Sequence, residues 1–194
     1  MVRTGNSKID SLINHDLKDK LTHYQYTNES VDSALKKWAD DQINFLDFEI
    51  TYNINSILSL SISAEGCGAY CTFWINYYNY SAKTGLPLEL SDILKIDNGF
   101  QEILLQEKYR QFEQQKKELK ELYTDDTMLD QDVYEWALEY YNNCEASFDR
   151  NEFSIREDGI KIIQDCYLPH AIQNLTPVFN LSYSFSELHP YLKI

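Results

Sequence analysis

Glu65-Gly66-Cys67-Gly68-Ala69-Tyr70-Cys71 decides the fold of this 194-residue chain, because it separates two runs of alternating character. Before it, Ile54, Leu58, Leu60, Ile62 and Ala64 share one parity and Asn55, Ser59, Ser61 and Ser63 the other, so a strand with one wet face is expected from Ile54 onward. After it, Ala69 to Tyr80 alternates again and is rich in aromatic residues, which suits a second strand. Gly66 and Gly68 supply the turn, and a hairpin follows. On the second strand the odd positions Cys71, Phe73, Ile75 and Tyr77 are the more apolar, so Leu58, Leu60, Phe73 and Ile75 are expected to face one interior. The even positions Tyr70, Trp74 and Tyr78 then form a row of rings with polar tips, able to stack on a sugar or anchor a protein. The competing reading covers that row with a helix.

Upstream, Ile9, Leu12, Ile13, Leu17 and Leu21 recur at helical spacing and predict a helix over about Ser7 to Tyr24. Asn28-Glu29-Ser30 offers caps for a second helix carrying Val31, Leu35, Trp38 and Ile43. Downstream, Lys83-Thr84-Gly85 is turn chemistry, and Ser91-Asp92 opens a short helical turn. Phe100, Ile103, Leu104, Phe112, Leu119 and Leu122 mark a long helix whose second half is expected to be exposed. Thr124-Asp125-Asp126-Thr127 breaks it, and Asp130 caps a shorter helix with Val133, Trp136, Ala137, Tyr140 and Tyr141. The two helices read as one antiparallel insertion at about 98–145. Phe153 to Ile155 and Ile160 to Ile163 are strands joined through Glu157-Asp158-Gly159, and Val178 to Tyr183 is the last. One α+β domain over 1–194 is expected, a mostly antiparallel sheet with helices packed on one side.

The 17 Lys and Arg against 31 Asp and Glu give a net charge of −14, which repels phosphate backbones and anionic lipid. Nucleic acid is excluded as a partner, and no run is apolar for long enough to insert in a membrane. A basic protein, a cation or a neutral glycan is what such a field admits. Oligomeric state is not encoded in these patterns.

Chemistry-bearing groups are sparse. Cys67 and Cys71 with Cys166 and His170 have the ligand types of a zinc site, but the three-residue spacing departs from the usual two. Cys67 and Cys71 instead flank a turn that can bring their Cβ atoms within the roughly 3.5–4.5 Å of a disulfide. They are the disulfide candidate, conditional on an oxidising compartment. His15, His23, His170 and His189 have no spacing that suggests a metal helix or a nucleophile's base. Asp40-Asp41 and Asp125-Asp126 read as solvated charge and not as calcium or glycosidase acids. No catalytic residue, metal site or cofactor is assigned.

Ile57 to Ile62, Gly68-Ala69-Tyr70, Tyr78-Asn79-Tyr80, Thr84-Gly85 and Leu90 to Leu94 together resemble the RsiV-like domain family of unknown function. Phe153-Ser154-Ile155, Asp158-Gly159-Ile160, Tyr167 to Ala171, Tyr183 to Leu188 and Tyr191-Leu192 resemble its closing strands and terminal turn. That family includes the extracytoplasmic part of a lysozyme-sensing anti-sigma factor and an accessory region of a peptidoglycan deacetylase. The resemblance implies a non-enzymatic protein- or glycan-binding module of the bacterial cell envelope, and the acidic charge fits a basic protein such as a lysozyme as its partner. A small acidic cytoplasmic inhibitor or immunity-type protein, and a glycan or peptide hydrolase, are the alternatives. Met1 to Asn6 lacks an export signal. The expected location is the periplasm or cell surface if such a signal has been removed, and the cytoplasm if Met1 is the native start.

Overall fold

The computed structural model describes residues 1–125 and 129–193, the side chains of residues 41, 42 and 125 excepted. The acid pairs Asp40-Asp41 and Asp125-Asp126, and Thr127 of the polar break, therefore lie partly or wholly outside the described residues. In chain order the elements are α1 (Ser7–Leu21), α2 (Val31–Gln42), β1 (Phe45–Ile54), β2 (Ile57–Cys67), β3 (Cys71–Ser81), α3 (Leu90–Ile93), α4 (Asn98–Asp125), α5 (Gln131–Ala146), β4 (Phe153–Ile155), β5 (Gly159–Ile162), a 3-10 helix (His170–Leu175), β6 (Leu181–Ser184) and α6 (Phe185–Leu188). The fold is α+β, with sheets ordered β1-β2-β3 and β4-β5-β6. The chain divides into two compact units, residues 1–93 with 154–158, and residues 94–153 with 159–193.

In the first unit, the Asn6 side chain accepts the N–H groups of Lys8 and Ile9 and opens α1. The helix stops at Leu21, three residues short of the expected end, because His23 and Tyr24 take φ of 49° and 61° and turn the chain. Lys18 is 1% exposed, and its ammonium donates to the Thr27 carbonyl (2.9 Å) and pairs with Asp19 (2.9 Å). That charge ties down the α1–α2 connection, after which the Ser30 hydroxyl caps α2. Ile13, Leu17 and Leu21 of α1 and Trp38 of α2 then pack on Leu58, Leu60, Ile62 and Ala64 of β2 and on Tyr78 and Tyr80 of β3. Each large side chain buried there contributes about 1.5–3 kcal/mol before entropy is subtracted.

The hairpin register corrects the expected facing of β3. Pairs run from Cys67 with Cys71 through Ala64 with Trp74 and Leu60 with Tyr78 to Leu58 with Tyr80, always joining residues of like parity. Once Leu58 and Leu60 face the helices, the even residues of β3 must do so too. Phe73 is 53% exposed and Ile75 half-buried on the opposite face, so neither joins the interior that holds Leu58 and Leu60. The serine face is also drier than expected, with Ser59 and Ser61 buried. Ser59 Oγ accepts the Ile155 N–H (3.1 Å) and the Thr51 hydroxyl (2.9 Å), so the small polar side chains satisfy backbone that covers them.

β1 was not expected, since Ile54 was read as the start of a strand and it ends one. Ile54 pairs with Ile57 across Asn55-Ser56, whose φ angles of 55° and 62° make a two-residue hairpin turn of the type that matches strand twist. Up to Ile50 the partners again share parity, Phe48 with Ile62 and Ile50 with Leu60, and a bulge then shifts the register. Beyond it Tyr52 pairs with Ser59 and Asn53 with Leu58, so Tyr52 turns to the serine face, where it is buried.

In the second unit, Tyr123 late in α4 stacks on Tyr134 early in α5 (centroids 4.7 Å), while Lys116 pairs with Glu145 at the far end of α5 (2.7 Å). The two helices are antiparallel. The second half of α4 is not exposed as a whole, because Phe112 and Leu119 are buried with Ala137, Tyr141, Ile172 and Phe179. Cys144 and Cys166 form a disulfide inside this core. A capping box between Ser184 and Glu187 opens α6.

Two glycine-related positions test this account. Gly85 has φ of 77°, and a Cβ there would lie 3.0 Å from Leu12 Cβ and 3.2 Å from the Ile9 carbonyl. Gly85→Ala is expected to lower stability by about 1–3 kcal/mol, read as the denaturation midpoint, through φ strain and displacement of α1. Ser56→Gly relieves a left-handed residue and is expected to add about 1 kcal/mol.

Candidate functional site

The site grows from the edge position of β1. By register Leu46, Phe48 and Ile50 lie on the helix side of the sheet, yet α1 and α2 cover β2 and β3 and leave these three 48%, 68% and 55% exposed. A cavity of about 640 Å³ opens there, lined by Leu17 and Leu21 of α1, Val31 and Leu35 of α2, the three β1 residues, and Leu58, Leu60 and Ile62 of β2. That volume lies in the range of ordinary ligand pockets.

The amino-terminal segment forms another wall, with Met1, Val2, Arg3 and Thr4 among the lining residues. Asn14 holds it by two bonds, accepting the Val2 N–H (2.7 Å) and donating to the Val2 carbonyl (2.9 Å). The N–H and hydroxyl of Thr4 both donate to Asp10 (2.6 Å each), and these bonds hold the Asp10 carboxyl below its usual range. Arg3 is a charged residue of the lining, and Asp47, set by the alternation on the other face of β1, borders the cavity only at the strand edge, where its side chain accepts the Phe48 N–H. The lining is largely apolar, the composition typical of ligand pockets.

The backbone of the edge is also available. Phe48 N–H donates to the side chain of its neighbour Asp47 (2.8 Å). Asp47 thus caps an outward-pointing amide.

The residues singled out in the sequence fall in different places. Tyr78 is buried under α1 and its phenol is pushed up to about 12, chiefly by that burial; Trp74 is half-buried against the same core; Tyr70 is 64% exposed in the hairpin turn. They do not form one exposed row. Tyr80, beside them, donates to Asp16 (2.6 Å), and burial pushes its phenol up as well. Cys67 and Cys71 are joined as a disulfide at the hairpin end, and Cys166 is joined to Cys144, so the four groups suggested for zinc are not assembled. Among the described residues no group of three His, Cys, Asp or Glu side chains is placed to hold a metal ion. His15 Nδ1 lies 2.8 Å from the Ser11 carbonyl, within its own helix.

A second cleft, of about 650 Å³, lies in the second unit between α4 and the β6–α6 segment, lined by Phe100, Gln106, Glu107, Arg110, Asn180, Tyr183 and Tyr191 among others. There Arg110 donates to Glu107 (2.6 Å), and this bond holds the Glu107 carboxyl down to about 2.

Leu46, Phe48 and Ile50 were missed as site residues. Their signal was present, as Leu46-Asp47-Phe48-Glu49-Ile50 alternates and Asn55-Ser56 separates it from the next alternating run.

No protein-family model matches the sequence, and no curated protein does. Among solved structures, a member of the DUF3298 family from Bacteroides fragilis superposes with a TM-score of 0.59 at 15% identity, covering 100% of this chain and 81% of that one. A DUF3298 family protein from Pseudomonas aeruginosa gives a TM-score of 0.44 at 16% identity, over 84% of this chain and 70% of that one. In fold, the chain is similar to the DUF3298 protein of B. fragilis. This replaces the likeness to the RsiV-like family, and the reason is physical. The short motifs behind that likeness are an aromatic strand, an Asp-Gly turn and a Ser-x-x-Glu cap, which many antiparallel hairpins and helix starts require.

Nile red, a neutral dye that brightens in apolar surroundings, is expected to bind the cavity of the first unit. Phe48→Asp should weaken that binding about tenfold or more in a fluorescence titration without moving the melting temperature by more than a few degrees.

Proposed function

We propose that this chain is a non-enzymatic binding module of the bacterial cell envelope that acts as one unit over 1–194 and engages a basic protein through the cavity and edge of its first sheet. The exposed row Leu46, Phe48 and Ile50 beside a 640 Å³ apolar cavity carries the reading. Soluble domains rarely leave a contiguous apolar surface of this kind without a use for it. A charge of −14 supports a basic partner, since it steers cations in and turns anions away.

The place of action rests on the cysteines. All four are in disulfides, which persist in oxidising compartments and are rare in the cytoplasm. No helix among the described residues is long and apolar enough to cross a membrane. Thiol titration of the denatured, unreduced protein is expected to find none free; four free thiols would favour the cytoplasmic inhibitor reading.

A glycan is the second reading, favoured by the aromatic and polar lining of the cleft with Arg110, Tyr183 and Tyr191. Hydrolysis there would need a carboxylic acid that holds its proton near neutrality, and Glu107 is shifted the other way.

Binding of lysozyme-type and other basic proteins, and of soluble peptidoglycan fragments, should be measured at low and high salt for the wild type and Phe48→Asp. A basic partner whose binding falls with salt and is lost in Phe48→Asp is the expected outcome. Glycan binding that ignores Phe48→Asp would move the site to the second cleft, and absence of any salt-sensitive partner would overturn the proposal.

A further inference from the structure

We infer that β1 takes its partner by strand addition, pairing its outer edge with an extended segment in which apolar residues alternate with Lys or Arg. This rests on the binding reading above and specifies how the partner is held.

The outer edge of β1 is the first requirement. The sheet order leaves β1 with β2 on one side only, and the pairing is regular from Phe45 to Ile50 before the bulge interrupts it. In an antiparallel ladder alternate residues turn both backbone groups the same way. The Phe48 N–H donates to the Asp47 side chain, which marks Leu46, Phe48 and Ile50 as the residues of that alternation whose N–H and C=O groups face outward. A strand laid there meets a ready row of donors and acceptors.

The side chains then set the chemistry of the guest. Residues of the added strand level with Leu46, Phe48 and Ile50 fall on the cavity side and are apolar by the company they keep. Residues level with Asp47 and Glu49 fall on the other side, where these two exposed carboxylates make no ion pair among the described residues. A Lys or Arg there also draws the Asp47 carboxylate off the Phe48 amide and frees that donor for the new ladder. A second copy of this chain brings the same carboxylates and the same net charge of −14, so it is the poorer occupant.

The probe is a synthetic peptide alternating Lys with Val, matched in length to Phe45–Ile50, and its counterpart with Glu for Lys. The Lys peptide is expected to bind and to weaken with salt, the Glu peptide not to bind, and the amides of Leu46, Phe48 and Ile50 to become protected from hydrogen exchange in the complex. Phe48→Pro removes the outward donor without removing a bond to β2, and Asp47→Lys reverses the charge. Each should weaken the Lys peptide about tenfold or more. If Phe48→Pro does not fold, the exchange measurement on the wild type decides. Binding with those amides unprotected and Phe48→Pro unaffected would overturn strand addition while leaving the binding module intact. So would failure of the peptide while a basic protein still binds in a Phe48-dependent way. Protection of the same amides in concentrated protein alone, with a dimer in sedimentation, would make the occupant a second copy and overturn the proposal.

Discussion

The first unit depends on one register, that of β2 against β3. Cys67 opposite Cys71 fixes like parity for every pair down to Ile57 with Ser81, and from that follow all of the rows that meet α1 and α2. A slip of one residue would either put serines in place of Leu58, Leu60 and Ile62 under the helices or send Tyr78 and Tyr80 outward. Two devices hold the register against that slip. A disulfide closes the hairpin at one end, and at the other the Tyr80 hydroxyl, fully buried, is anchored on Asp16 of α1. An unpaired phenol at that depth would cost roughly 1–3 kcal/mol, so the bond matters more for what its loss would expose than for its own strength.

The position of β1 follows from the same register and makes the site. Its even residues inherit the apolar face of β2, but helices α1 and α2 are spent on β2 and β3, so the face continues past its cover. The bulge after Ile50 ends this continuation by turning Tyr52 into the serine face and giving Asn53 to the cavity. What remains is a short regular edge with apolar side chains on one side and carboxylates on the other. The amino-terminal strap held by Asn14 closes the cavity from another direction, and its Val2 packs on the core that the sheet shares with the helices.

Much of this was legible in the residues and some was not. The hairpin, the helix starts near Ser7 and Ser30, the short strand Phe153–Ile155 and the two antiparallel helices all rest on local rules of capping, turn chemistry and period, which act within a few residues. The facing of β3 was misread because odd and even positions are both apolar enough, and only the pairing partner breaks the tie. That tie could have been broken by combining the cysteine pair with the parity of Leu58 and Leu60. β1 was lost because Ile43 to Leu46 continues a helical spacing and Asn55-Ser56 lacks the glycine that usually marks such a turn. The alternation of Leu46 to Ile50 was readable as a strand, but not its use as a site, since exposure of Leu46, Phe48 and Ile50 is decided by where two helices fail to reach.

An apolar edge strand is an aggregation hazard in any protein, and this one manages it without giving up the surface. The cap of Asp47 on the Phe48 amide occupies a donor that another chain would use, Glu49 places charge two residues on, and the bulge shortens the run. Each charge pair in water is worth only about 1 kcal/mol at contact, so carboxylates alone do not supply affinity. Apolar area does, at about 25 cal/mol per Å² removed from water. On the proposal made above a division of labour follows: the acids decide which chains may approach, repelling copies of an acidic protein and admitting basic ones, and the row of Leu46, Phe48 and Ile50 decides how firmly the admitted chain is held.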